Sequence, residues 1–195
     1  MEKGFSAASI PDILCSLYTF GIFLATLLSY LAAPCLTEHG RSTRGLSKLY
    51  YFVFYLLSIF LLRNSGSWFI VHPLRRLVET LVYSRHSRSR ISYLQFAHGL
   101  AYFAIMSPYI AAHRVEPLGF LAANVLQAIA HFRVYYLKKQ EFTHYYTEIL
   151  IYGYIFLCNR TCALFWNLMY VVAFVFVSIR NRSRAKHGDR KRTAG

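Results

Sequence analysis

Long runs of apolar residues, broken at short intervals by polar and basic clusters, set the pattern of this chain. Read with a window of about 19 residues, the runs fall at 13–36, 49–62, 91–112, 118–137, 145–158 and 162–179. The first is apolar throughout, long enough for a tilted transmembrane helix and too long for the apolar core of a cleaved signal peptide. The second stops at Arg63-Asn64-Ser65-Gly66-Ser67 before Trp68-Phe69-Ile70-Val71 resumes. It either spans with a polar break or is followed by an interfacial segment. No internal repeat is present. The pattern predicts an all-α fold: a polytopic membrane helical bundle of about six (six to seven) transmembrane helices. It forms a single integral membrane domain over residues 1–195, with a basic cytoplasmic tail over 180–195.

Within these runs lie residues that a bilayer does not tolerate without a reason, since an ionisable group at depth costs about 2.5–3.5 kcal/mol on insertion scales. Gln95, His98 and Tyr102 share one face of the third run at helical steps of three and four. Asn124, Gln127 and His131 do the same on the fourth, with Arg133 and Tyr135 just beyond, and His144, Glu148 and Tyr152 on the fifth. Three polar faces on neighbouring helices imply one polar chamber between them. The bland alternative is interhelical hydrogen bonding, worth about 0.6 kcal/mol on average, and it stays open for each His or Gln taken singly. Glu148 is the exception, because an unpaired carboxylate is expensive and glue rarely requires one. Arg133 either serves the chamber or snorkels to the interface.

Composition supports the membrane assignment. Hydrophobic residues make up 56% and charged residues 15%, against about a quarter charged in a typical soluble domain, and the mean hydropathy is +0.34. These values exclude a disordered chain and argue against an ordinary water-soluble globule. The net charge of +14 comes from 22 Lys and Arg against 8 Asp and Glu. In an apolar chain that excess records topology and contact with anionic lipid or cofactor; it does not require nucleic acid. For six spans, alternate connecting segments carry 15 against five basic residues, which places both termini in the cytoplasm, and one span more or fewer flips the N-terminus.

The polar stretch after the second run reads His72-Pro73-Leu74-Arg75-Arg76-Leu77-Val78-Glu79. On a helix Arg75 and Glu79 are i,i+4 partners, which leaves Arg76 to meet an anion, and the early Pro suits a helix start. This stretch is read as a cytoplasmic loop, with Arg85, Arg88 and Arg90 as headgroup anchors. No Gly-rich phosphate loop, Walker pattern or strand-borne GxGxxG is present. Cys15, Cys35, Cys158 and Cys162 lie in or beside apolar runs without the spacing of a zinc site or disulfide framework, and no metal is expected. The sequons at Asn159 and Asn181 are weak, one hugging the membrane and one in the tail.

Two of these features resemble the steroid 5-alpha-reductase family, and its polyprenol (polyprenal) reductase branch in particular. One is His72-x-x-Arg75-Arg76-x-x-Glu79. The other is His144-Tyr145-x-x-Glu148-Ile149, followed by Tyr152; a fainter echo lies at Ser47 to Tyr55. The resemblance covers roughly 48–179. It implies a multi-pass endoplasmic-reticulum enzyme that uses NADPH to saturate the alpha-isoprene double bond of a long polyprenoid, on the route to dolichol for protein N-glycosylation. In that reading His72, Tyr145 and Glu148 are catalytic, with His72 the donor on the substrate side. Arg76, Asn124, His131, Arg133, His144, Glu148 and Tyr152 hold NADPH, and Gln95, His98 and Tyr102 meet the lipid. Lys138 and Lys139 stand at the chamber mouth with the arginines, where a phosphorylated dinucleotide would enter. The steroid enzymes' Tyr after the first His is Pro73 here and the second span has no Glu, so a steroid substrate is disfavoured. The family's long loop before His-Tyr is reduced to 138–143. Two alternatives remain: an isoprenylcysteine carboxyl methyltransferase-like enzyme, whose His-Pro form of the late-helix motif is missing here, and a catalytically inactive, family-derived membrane scaffold.

Overall fold

The structure is a computed structural model and describes residues 9–32, 45–83, 90–137 and 142–193, with side chains up to residue 180. Cys35, Arg41, Arg44, Arg85, Arg88, the 138–141 segment and the tail side chains, including those of the second sequon, lie outside the described residues. Seven α-helices make up most of what is described: α1 Ile10–Ala32, α2 Tyr51–Leu62, α3 Val71–Tyr83, α4 Tyr93–Ala111, α5 Pro117–Tyr135, α6 Thr143–Asn159 and α7 Cys162–Thr193. Two short strands, β1 Leu46–Ser47 and β2 Arg90–Ile91, pair antiparallel. The all-α expectation holds.

Local chemistry sets most of the boundaries. Ser92 caps α4 in a reciprocal capping box with Gln95. Pro117 opens α5, where its missing N–H is not needed. Ser67 accepts from the Phe69 amide at the start of the 3-10 turn that leads into α3. The last helix does not stop at the end of its apolar run, and its backbone stays helical through the basic tail to Thr193.

The two ends of the bundle are told apart by what closes them. At one end the Tyr109 hydroxyl, in the last turn of α4, reaches the Asp12 carboxylate in the first turn of α1 at 2.7 Å and Thr161, just before α7, at 3.1 Å. Asn159, at the end of α6, holds the backbone of Arg114 before α5. At the other end β1 and β2 tie the entries of α2 and α4 together, with Gly45 packed so closely that a Cβ would lie 2.1 Å from the Ile91 carbonyl oxygen. From that tie α2 and α4 run in parallel, through the Tyr50–Phe96 and Phe54–Phe103 ring contacts to the Ser58–Ser107 hydrogen bond of 2.7 Å. A Cβ on Gly99 would sit 2.5 Å from the Phe54 ring, so a residue without a side chain lets the two helices approach.

The rods therefore alternate in direction, and their number, seven among the described residues, falls within the six to seven expected, with one change in what they are made of. The stretch from Val71 is not a loop but an inner arm: α3 runs back from the Asp12 end beside α5, ending where the Tyr83 and Tyr135 rings stack at 5.2 Å. With seven rods, α1 begins at one end and α7 leaves at the other. A hydropathy window misses α3 because half of its turns are polar; those polar groups are satisfied inside the bundle. Two helices, Ile10–Ala32 and Cys162–Arg180, are long and apolar enough to cross a membrane by length and composition. The first packs along the second, with Phe20 and Trp166 edge to face at 4.7 Å, and turns the rest of its apolar surface outward, Ile10 and Leu31 being about three-quarters exposed at 74% and 75%.

Candidate functional site

Helices α3 and α5 meet in a ladder with one register. His72 faces Asn124, Arg75 faces Gln127, and Glu79 faces His131, each pair 52 residues apart. Steps of three and four on both helices keep every rung on the shared face, which is what two parallel helices side by side allow. The rungs are fully bonded. The Asn124 amide is oriented by its own N–H donation to the Phe120 carbonyl at 2.9 Å, so its oxygen points into the ladder. That oxygen accepts from His72 Nδ1 at 3.2 Å and Arg75 Nε at 3.1 Å. Gln127 accepts from Arg75 and donates to Glu148 on α6, linking the ladder to the third helix.

Glu79 is the hub. It accepts from Arg75 at 2.5 Å, from Arg76 at 2.9 Å and from His131 Nδ1 at 2.6 Å. The same His131 nitrogen lies 2.9 Å from Arg76, but a ring nitrogen that gives its proton to a carboxylate cannot also accept one, so the Arg76 guanidinium donates to the other ring nitrogen, Nε2, at 3.3 Å. Two guanidiniums and two carboxylates, with the imidazoles neutral, leave no net charge in the cluster. A buried ion cluster persists only when its geometry and hydrogen bonds repay desolvation, and this one meets that condition. Arg76 is consequently not free, as the spacing suggested: Glu79 serves both arginines.

Beyond Arg76 the cluster opens onto a cavity of about 450 Å³ in the half of the bundle nearest the strand pair, a size ordinary for a small-molecule site. Its polar end holds Arg76, Glu148, Tyr55, Tyr102 and Tyr152; its walls are apolar, from α1, α2, α4 and α7. Glu148 is half-buried, its carboxylate opening onto the cavity, where Arg76 and Arg75 act on it electrostatically. Tyr102 donates to Asn167 at 2.9 Å and His98 shares a 3.1 Å hydrogen bond with Tyr170, two links that fasten α4 to α7.

The expected residues divide into groups. Arg76, Glu148, Tyr152, Gln95, His98 and Tyr102 line the cavity. Asn124 and His131 stand in the ladder behind it, and so does His72, which is 1% exposed and off the cavity wall, a place that does not suit a donor to a substrate. His144 is buried with its ring 5.5 Å from His131, and Tyr145 packs against it at 3.9 Å, both flanking the ladder rather than lining the cavity. Arg133 is exposed and points away from the site, since two residues beyond His131 a helix has turned by more than half a revolution. The single chamber of three stripes is really two compartments that share Arg76 and Glu148: the α4 stripe faces the cavity, and the α5 stripe faces α3.

Asn167, Tyr170 and Tyr55 were not singled out by sequence. Asn167, a buried amide in the most apolar run, carried the only visible signal, and Tyr170 lies one helical turn from it. No family model matches the chain, and no curated protein matches it significantly.

Proposed function

We propose that this protein is a membrane-bound, NADPH-dependent reductase of the steroid 5-alpha-reductase type, saturating the alpha-isoprene double bond of a polyprenal or polyprenol on the route to dolichol. One observation carries the reading. The two motifs on which the resemblance rests, more than sixty residues apart in sequence, are joined through Gln127, and each contributes one charged side chain, Arg76 and Glu148, to the same cavity.

The donor set suits the cofactor's reacting half. A carboxylate beside a guanidinium at the end of a cavity offers an acceptor for ribose hydroxyls and a cation for an amide or phosphate oxygen. Glu148 and Arg76 would hold that half, with Tyr152 closing the wall. NADPH would supply the hydride. The volume accommodates the reacting ends of dinucleotide and lipid and not the whole of either. The phosphates then lie toward the strand end, and the lipid tail leaves along the apolar walls. Those walls exclude water, which strengthens each electrostatic contact at the polar end.

The same reading makes the seven rods membrane spans in the endoplasmic reticulum. In chain order, the three connections that follow α1, α3 and α5 carry eight Lys and Arg and the tail after α7's apolar run seven more, against Lys3, Arg63, Arg114 and Arg160 in the N-terminus and the other connections. The strand end is then cytoplasmic and the N-terminus lies across the membrane from the C-terminus. In sealed microsomes an epitope at the C-terminus is expected to be cleaved by added protease and one at the N-terminus protected; cleavage of both restores the six-span arrangement. The function itself is tested by heat stability of the purified protein in detergent. NADPH is expected to raise the unfolding temperature and S-adenosylmethionine to leave it unchanged. The reverse result supports the methyltransferase, and no response to either supports the scaffold.

A further inference from the structure

Reduction of an enal needs a donor at the carbonyl oxygen, and with His72 walled off the donor must come from the cavity lining. A phenol is the most acidic hydroxyl there, and three of the five tyrosines are already engaged, as is one threonine. Tyr102 gives its proton to Asn167, Tyr170 is bonded to His98, Tyr152 is within hydrogen-bonding reach of Tyr102, and Thr26 donates to the Ile22 carbonyl. Tyr55, on α2, differs. It is 5% exposed, lines the cavity, and lies under the Arg76 guanidinium, whose carbon is 5.6 Å from the ring centroid. Arg can only donate, so its approach to Tyr55 does not take up the phenol's proton, which is left for the cavity. Tyr51, one turn earlier on the same helix, also lines the cavity, but the guanidinium contact is with the Tyr55 ring.

We propose that Tyr55 is the catalytic hydrogen-bond donor to the carbonyl oxygen of an α,β-unsaturated isoprenoid aldehyde, polarised for that task by Arg76. The proposal rests on the reductase reading. As a hydride adds to the β carbon, the carbon–carbon π pair moves toward the carbonyl and the oxygen takes the Tyr55 proton, giving an enol and a phenolate beside Arg76. The enol then leaves the cavity and tautomerises in the medium to the saturated aldehyde, and a proton from the medium restores the Tyr55 phenol. The double bond gains one hydride and one proton, and the dinucleotide is oxidised by two electrons. Arg76 offsets the transient phenolate charge, which explains why a guanidinium already neutralised by Glu79 also faces the cavity.

The test uses farnesal carrying a ¹³C carbonyl, bound without cofactor to the full-length protein in detergent, with the carbonyl stretch read by difference infrared spectroscopy. The wild type is expected to shift the band to lower frequency. Tyr55→Phe should bind farnesal yet return the band toward its unbonded position, and Tyr51→Phe should keep the shifted band. With NADPH present, Tyr55→Phe is expected to lower the reduction rate about 10²- to 10³-fold, the usual effect of losing one such donor, while its heat stabilisation by NADPH is unchanged. A shifted band in Tyr55→Phe, or its loss in Tyr51→Phe or Tyr102→Phe instead, overturns the proposal and leaves the reductase reading intact. A wild type that neither binds the aldehyde nor responds to NADPH removes both.

Discussion

Truncating Glu79 to alanine is expected to destabilise the protein by about 3–5 kcal/mol, the range for removing one partner of a buried ionic cluster. The carboxylate is 8% exposed and accepts three charge-assisted or imidazole hydrogen bonds at 2.5–2.9 Å. Its removal leaves two guanidiniums facing each other behind the cavity and an imidazole donor with nowhere to give its proton. Arg75 and His131 have little access to water in its place, their side chains being 13% and 3% exposed. Glu79→Gln should lose less, because an amide oxygen still accepts even though its charge is gone. A double-mutant cycle with Arg75→Ala separates the interaction from the burial penalty: the double variant is expected to be clearly more stable than the two single losses predict. The measurement is the unfolding midpoint in detergent against added sodium dodecyl sulfate. A Glu79→Ala protein within about 1 kcal/mol of wild type would mean that the cluster is not a stabilising centre.

Glu148→Gln is expected to separate binding from folding. Its carboxylate is held by the Gln127 side-chain N–H and otherwise opens onto the cavity. The introduced amide keeps an oxygen for Gln127 and keeps the shape, so the unfolding midpoint without ligand should barely move. What disappears is the anionic acceptor at the polar end of the cavity. Hydrogen bonds to charged groups are worth about 1.5–3 kcal/mol, so the NADPH concentration that gives half-maximal heat stabilisation should rise about 10- to 100-fold. An unchanged NADPH response would remove Glu148 from the site, and a collapse of the ligand-free midpoint would make it a structural partner of Gln127 instead. In cells lacking polyprenol reductase, recovery of dolichol by wild type and not by this variant is the corresponding test of activity.

The site was legible in pieces. Helical spacing alone put Asn124, Gln127 and His131 on one face, and His144, Glu148 and Tyr152 on another, and both faces turn inward. The i,i+4 pairing of Arg75 with Glu79 is present as its spacing required. Spacing could not show that Arg76 also leans on Glu79, because i,i+3 and i,i+4 partners compete for the same carboxylate and only its depth of burial lets it satisfy both. Nor could it show that His72 stands behind Asn124, because that contact crosses 52 residues. Tyr55 stood only at the end of the fainter echo of the family pattern, one aromatic among many in an unbroken apolar run, with nothing to mark its role.

The sequence by itself determined that this is a helical, apolar chain with its positive charge gathered in connecting segments, because helix period, apolar run length and charge placement are all local properties. Only the tertiary structure decided that the polar stretch after the second run is an inner helix, that the rods number seven among the described residues, and that two distant motifs close on one cavity. The physical reason is that a buried polar residue is tolerated by virtue of its partner, and the partner is chosen by which helix faces meet in space. Until α3 is laid beside α5 in their common register, His72, Arg75, Arg76 and Glu79 look like charges that belong in water.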